Sequence, residues 1–175
     1  MNIYLDCGYY AGLALRDYID QGIVDDTWTM YAFDPSPLVD DYLDRPWTPK
    51  NFIKKAVWIR DGKIKFNVSR RENASSIKGI TGQVDPEEIE VDCINFSKFV
   101  KGLPEAYIFC SMDMEGAEFK VLKKMLKDNT IDKINKLSIE FHYRLMLDYD
   151  KTDAEDLIKQ IEARGVEVIL KEPLS

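Results

Sequence analysis

An α/β fold, a mostly parallel sheet with helices on both faces, is what this chain of 175 residues predicts. Three observations carry that expectation. Short apolar runs end in acids and turn through glycine into amphipathic helices, the unit from which an open α/β sheet builds its ligand crevice. Strand patterns and helix patterns alternate from one end of the chain to the other. Hydrophobic residues make up 45% of the composition, enough at this length for one domain, residues 1–175, to bury a core.

The first strand runs from Asn2 to Asp6 and leads into Cys7-Gly-Tyr-Tyr-Ala-Gly12. A helix follows from Leu13 to about Gln21, stopped by Gly22. Gly8 and Gly12 would let the backbone approach a ligand at a helix N-terminus. A plain strand-to-helix turn is the commoner explanation of such a pair. The Gly-x-Gly-x-x-Gly pattern is missing, which argues against a dinucleotide-binding oxidoreductase. The second strand, Thr29 to Asp34, is followed by Pro35-Ser36-Pro37. Ser36 and Pro37 suit the cap and first position of a short helix through Leu43. Asp34, at the end of a second strand, is placed to accept ribose hydroxyls, and Asp-Pro-Ser-Pro alone is also a turn signal.

Trp47 to Lys55 reads as a loop. Ala56–Arg60 and Lys63–Val68 then read as a hairpin across Asp61-Gly62. Arg70 to about Glu87 has no periodicity and carries Asn73, Ser75, Ser76, Gly79 and Gly82, so it is expected to be a long loop. Glu90–Ile94 is a short strand, and Phe96–Lys101 a short helix with Phe96, Phe99 and Val100 inward.

The central unit follows. Ala106–Phe109 leads into Asp113, Glu115 and Gly116, then a helix with Ala117, Val121, Leu122 and Met125 on its apolar face. Asp113 and Glu115, two apart, would point the same way from an extended strand end. Two readings stand for them: crevice carboxylates, or helix N-terminal acids favoured by the macrodipole. Lys136–His142 is another buried strand, ending in the one histidine of the chain. A lone histidine there is more often structural, although a crevice at the strand ends would put it to use. Tyr143–Tyr149 is rich in aromatic and apolar residues and would either line an acceptor pocket or cover the sheet. Thr152-x-x-Glu155 reads as a capping box for a helix with Ala154, Leu157, Ile158 and Ile161 inward. Gly165 ends it, and Val166–Leu170 is the last strand.

Asp113-Met-Glu-Gly-Ala-Glu118, with Val121-Leu122, resembles the signature Asp-x-Glu-Gly-Ala-Glu-x-x-Val-Leu of the FkbM-like methyltransferases. Asp6, Gly8 and Gly12 fall in register with that family's Asp-x-Gly-Ala-Asn-x-Gly, with Tyr9-Tyr10 where Ala-Asn is usual. Phe33-Asp-Pro-Ser-Pro37 is similar to its Phe-Glu-Pro-x-Pro, and Ile139-Glu-Phe-His142 to its Val-Glu-Phe-His. The resemblance covers about Ile3 to Leu170. It implies a Rossmann-like class I methyltransferase sandwich, here a small version in which the usual last antiparallel strand is not found. It implies S-adenosylmethionine (SAM) as cofactor, held by Asp6, Gly8, Tyr9, Tyr10, Gly12, Asp34, Pro35, Lys55, Ala56, Ser76 and Asp113. It also implies O-methylation of a small-molecule or carbohydrate hydroxyl, with His142, Asp113 and Glu115 catalytic, His142 as general base, and no metal. The alternative is a degenerate, non-catalytic module of the same fold, which the Tyr9-Tyr10 departure would suit.

Composition narrows the partners. A net charge of −7, from 24 basic and 31 acidic residues, is unsuited to binding nucleic-acid backbones. Cys7, Cys93 and Cys110 are widely spaced and odd in number, as in a reduced cytoplasmic protein, and one histidine makes zinc a poor expectation. No apolar run reaches the length of a membrane span and no signal peptide is visible.

Overall fold

The computed structural model describes residues 1–68, 75–77, 87–146, 148–172 and 174. Its frame is a six-stranded sheet built from β1 (Asn2–Cys7), β2 (Thr29–Phe33), β3 (Asn51–Ile53), β7 (Tyr107–Met112), β8 (Lys136–Ile139) and β9 (Glu167–Leu170). The order is β3-β2-β1-β7-β8-β9, and every neighbouring pair is parallel. The chain winds outward in both directions from the β1–β7 seam, so a switch point lies there, at the carboxyl ends of both strands. Among the described residues no antiparallel strand joins this sheet.

Alternation along the central strands sorts side chains to two faces. Ile3, Leu5, Ile108 and Cys110 enter the larger core with Phe119, Leu122 and Met125 of α3 (Glu118–Lys127) and Leu157 and Ile161 of α4 (Lys151–Glu162). α2 (Phe96–Gly102) packs on that side too, through Phe96 and Val100. Tyr4 and Phe109 face the other way, toward Leu15 and Tyr18 of α1 (Leu13–Asp20). The Tyr18 hydroxyl donates to the buried Ser138 Oγ at 2.7 Å, tying α1 to β8. Side chains of this size contribute roughly 1.5–3 kcal/mol each when fully buried. The three cysteines are buried and free.

Four local expectations need correction. The 47–55 segment is not all loop, because Asn51–Ile53 forms β3 on the edge beside β2. Asp61-Gly62 does not make a hairpin. β4 (Ala56–Trp58) and β5 (Gly62–Val68) instead flank β6 (Glu87–Asn95), one parallel and one antiparallel, in a three-stranded sheet. The reason is visible at the corner: Asp61 Oδ1 accepts the Asn95 N–H at 3.0 Å, so the turn docks on the end of β6 and leaves room for it. The capping box of α4 is Asp150 with Asp153, two residues before the Thr152–Glu155 reading. The final strand begins at Glu167. Ser36 does cap the short helix Pro37–Tyr42, accepting from the Leu38 N–H. The loop expected from Arg70 to about Glu87 lies largely outside the described residues, apart from Ser75–Ile77 and the start of β6.

Candidate active site

The carboxyl ends of β1, β2 and β7 border a cavity of about 240 Å³. Gly8, Asp34 and Asp113 all line it, with Tyr9, Tyr10 and Pro35 on the same rim. Ala56 and Glu115 also reach it. Gly8 has φ +89°, and a Cβ there would lie 1.8 Å from the Asp113 carbonyl oxygen. Only glycine lets the β1 and β7 loops close on each other at this seam.

The two tyrosines line the cavity and pack their rings on neighbouring side chains. The Tyr9 ring folds over Gly12, packs edge-on to Phe52 at 5.7 Å and bonds Thr48 Oγ1 at 2.7 Å. Tyr10 takes a left-handed φ of +42° and lays its ring against Tyr42 at 5.1 Å. That backbone turn aims the Tyr10 N–H at Asp34 Oδ2, 2.8 Å away, while Asp34 Oδ1 accepts the Ser36 N–H at 2.8 Å. Asp34 is therefore buried and clamps two loops together. Burial raises its pKa to about 6, against the two N–H groups and Lys54.

Other expected cofactor residues stand off the wall. Asp6 is 2% exposed beneath the loop. Its Oδ2, with Tyr4 Oη and Ser111 Oγ, has no hydrogen-bond partner among the described residues. Burial, with the charges of Asp113 and Asp34 and against Lys171, raises its pKa to about 7. Gly12 supports the Tyr9 ring. Lys55 is exposed, and its neighbour Ala56 lines the cavity. Ser76 is fully buried in a main-chain bridge to Asn67, while Ser75 and Ile77 face the cavity.

The β7–α3 turn carries the other half. Glu118, 0% exposed, accepts the Met114 N–H at 2.7 Å and the Gly116 N–H at 2.8 Å. Its Oε1 also lies 3.1 Å from His142 Nδ1. The opposite nitrogen, Nε2, faces Glu140 at 3.4 Å, Glu115 at 3.5 Å and Asp113 at 3.6 Å. Burial alone would lower the imidazole pKa. The Glu118 hydrogen bond and charge, joined by Glu115 and Asp113, outweigh it and carry the pKa up to about 9. One atom each from Asp113, Glu115 and His142 lies within 4.8 Å of the others, a spacing that a metal ion can bridge.

The cluster thus brings Asp113, Glu115 and His142 together at the strand ends of β7 and β8. Three members were not anticipated: Glu140, two residues before His142 in the same strand ending, Glu118 and Lys171. Glu118 stood in the signature without a role, and its spacing to Gly116 was the available signal. Lys171, whose Nζ lies 3.5 Å from Asp113 Oδ2, comes from the end of β9, and nothing near it in sequence marks it.

A family model described as the methyltransferase FkbM domain matches residues 6–168, nearly the whole chain. The chain belongs to the FkbM methyltransferase family. No curated protein and no solved structure matches it. The six-stranded parallel sheet is the Rossmann-like frame expected of this methyltransferase domain, and the family's signature residues sit at its switch point. Among the described residues no helix is long and apolar enough to cross a membrane.

Proposed function

We propose that this FkbM-family domain binds SAM and methylates a hydroxyl group of a small molecule or sugar. The observation that carries the reading is the convergence of Gly8, Asp34 and Asp113 on one cavity at the switch point. The residues present fit the cofactor. Gly8 gives close backbone approach, Asp34 offers a carboxylate to the ribose, and Pro35 and Ala56 supply apolar wall. Asp113, on the cavity wall, places a carboxylate near a cationic ligand. Bound there, SAM supplies a methyl group activated by its sulfonium. The chain's part is to hold donor and acceptor in near-attack geometry and to take up the hydroxyl proton. The tyrosines at 9 and 10, the ground for a non-catalytic module, pack their rings on Phe52 and Tyr42 and give that reading no support.

Calorimetry with SAM and with S-adenosylhomocysteine (SAH) tests the cofactor. Methyl-labelled SAM incubated with a pool of free monosaccharides tests the acceptor class. Saturable binding of both nucleosides is expected, with label passing to sugar oxygen. Failure of either nucleoside to bind at millimolar concentration would remove the reading.

A further inference from the structure

A base must come within hydrogen-bond reach of the acceptor's hydroxyl, which favours a group on the cavity wall. The His142 side chain is 9% exposed, its Nδ1 is taken by Glu118, and its Nε2 points at Asp113, Glu115 and Glu140. His142 does not line the cavity, whereas Asp113 and Glu115 do. The two carboxylates differ in what faces them. Asp113 has a cation at each oxygen: His142 Nε2 lies 3.6 Å from Oδ1, and Lys171 Nζ 3.5 Å from Oδ2. Among the described residues Glu115 has His142 alone, and around it stand the carboxylates of Asp113, Glu118 and Glu140. Glu115 is thus a cavity carboxylate that faces one cation and three other acids.

The backbone agrees. Glu115 adopts a left-handed φ of +52°, a region bulky residues avoid, between Met114 and Gly116 whose N–H groups Glu118 holds. Strain of this kind persists where the surroundings over-determine it, and it collects at functional sites. Glu118 supplies the restraint: one buried carboxylate fixes the turn and the imidazole together.

We propose that the Glu115 carboxylate, and not the His142 imidazole, receives the acceptor's proton, with His142 and Glu118 as positioning residues behind it. This rests on the methyl-transfer reading above. In the step, the acceptor oxygen bonds to the methyl carbon as the carbon–sulfur bond breaks. That bond's electron pair stays on sulfur, leaving the thioether, and the hydroxyl proton passes to Glu115 Oε. Electrostatics support the assignment. Burial, with Asp113, Glu118 and Glu140 and against His142, raises the Glu115 pKa to about 7, a value suited to proton uptake at neutral pH.

His142 is the one histidine in the chain, so its ring nitrogens give a single set of NMR signals that reports the cluster without any acceptor. In the SAH-bound wild type the imidazole should stay doubly protonated through neutrality. Its signals should show a step near pH 7 as Glu115 ionises. Glu115→Gln should erase that step, retain SAH binding, and slow transfer to the monosaccharide pool by about 10²–10⁴-fold. His142→Gln, which removes a cation, should move the pH dependence of transfer upward without abolishing it. An imidazole that loses its proton below pH 7 overturns the proposal, as does a step that persists in Glu115→Gln. Wild-type protein that binds no SAH defeats the methyl-transfer reading and this one with it. Binding with the wrong proton pattern defeats this one alone.

Discussion

The two halves of the cavity rim neutralise their acids by different means. On the β1–β2 side, Asp34 gives both oxygens to backbone N–H groups, those of Tyr10 and Ser36. On the β7–β8 side, Asp113, Glu115 and Glu140 crowd around one imidazole, with Lys171 behind Asp113. Backbone donors are fixed by local chain geometry and do not titrate. A side-chain cation can be removed, moved or deprotonated. The first half is therefore a cradle whose donors keep their charge while Asp34 alone titrates, and the second a cluster in which acid and cation both respond to pH. Glu118 links the two styles, because its carboxylate takes two N–H groups and the imidazole at once.

Breaking that link should produce the largest effect. Glu118→Ala strips the acceptor from the Met114 and Gly116 N–H groups and leaves His142 surrounded only by groups on its other side. Removing one member of a buried ion pair costs about 3–5 kcal/mol, and the turn loses its restraint as well. Chemical denaturation should register a loss of this size. Glu118→Gln, which keeps one acceptor oxygen, should fall between the two. A Glu118→Ala protein as stable as wild type would mean that the turn holds its shape without the carboxylate.

How much of this was legible in the sequence follows the same division. The cradle is written locally: Gly8 next to a strand end, Asp34 before Pro35-Ser36-Pro37, and a serine that caps the short helix as its position implies. The fold was legible for a similar reason, since the alternation of apolar strands and amphipathic helices survives in the sheet order. The cluster was legible only in its members from the signature. Lys171 reaches Asp113 from a strand more than fifty positions on, and no periodicity announces such a contact. The misread hairpin has the same origin. Asp61-Gly62 looks like a two-residue turn, but its partner is Asn95 on β6, and long-range pairing overrode the local signal. The proposal moves proton uptake from His142 to Glu115 for an electrostatic reason: four carboxylates crowd the imidazole, and sequence distance hides three of the four.

The cradle itself can be broken at Asp34. A surface carboxylate at the crevice edge would be lost at little expense to folding. In the structure Asp34 is 7% exposed and joins the β1 and β2 loops. Asp34→Ala should therefore weaken SAH binding and folding together, each by about 1.5–3 kcal/mol, the range for hydrogen bonds to a charged group. Asp34→Asn keeps an acceptor for one of the two N–H groups and should lose less of both. Calorimetry and thermal melts on the pair of variants separate the outcomes. Full affinity with lowered stability would confine Asp34 to a structural role and leave the ribose to another group.

The smallest effect belongs to Tyr10, where this chain departs from the family's asparagine. Two consequences of Tyr10→Asn oppose each other. Tyrosine is ill suited to φ +42°, while asparagine enters the left-handed region readily, so the backbone loses strain. Against that, the ring leaves Tyr42, and aromatic pairs contribute about 0.5–1.5 kcal/mol beyond their buried area. The contact of the two hydroxyls, 3.3 Å apart, goes as well. Because the N–H that reaches Asp34 is backbone, the substitution keeps it. The net change in stability should stay within about 1 kcal/mol, and SAH affinity should change less than in Asp34→Ala. Melting and calorimetry of Tyr10→Asn beside Asp34→Ala give the comparison directly. A Tyr10→Asn protein that loses affinity as severely as Asp34→Ala would show that the ring, and not the main chain beneath it, shapes this half of the cavity.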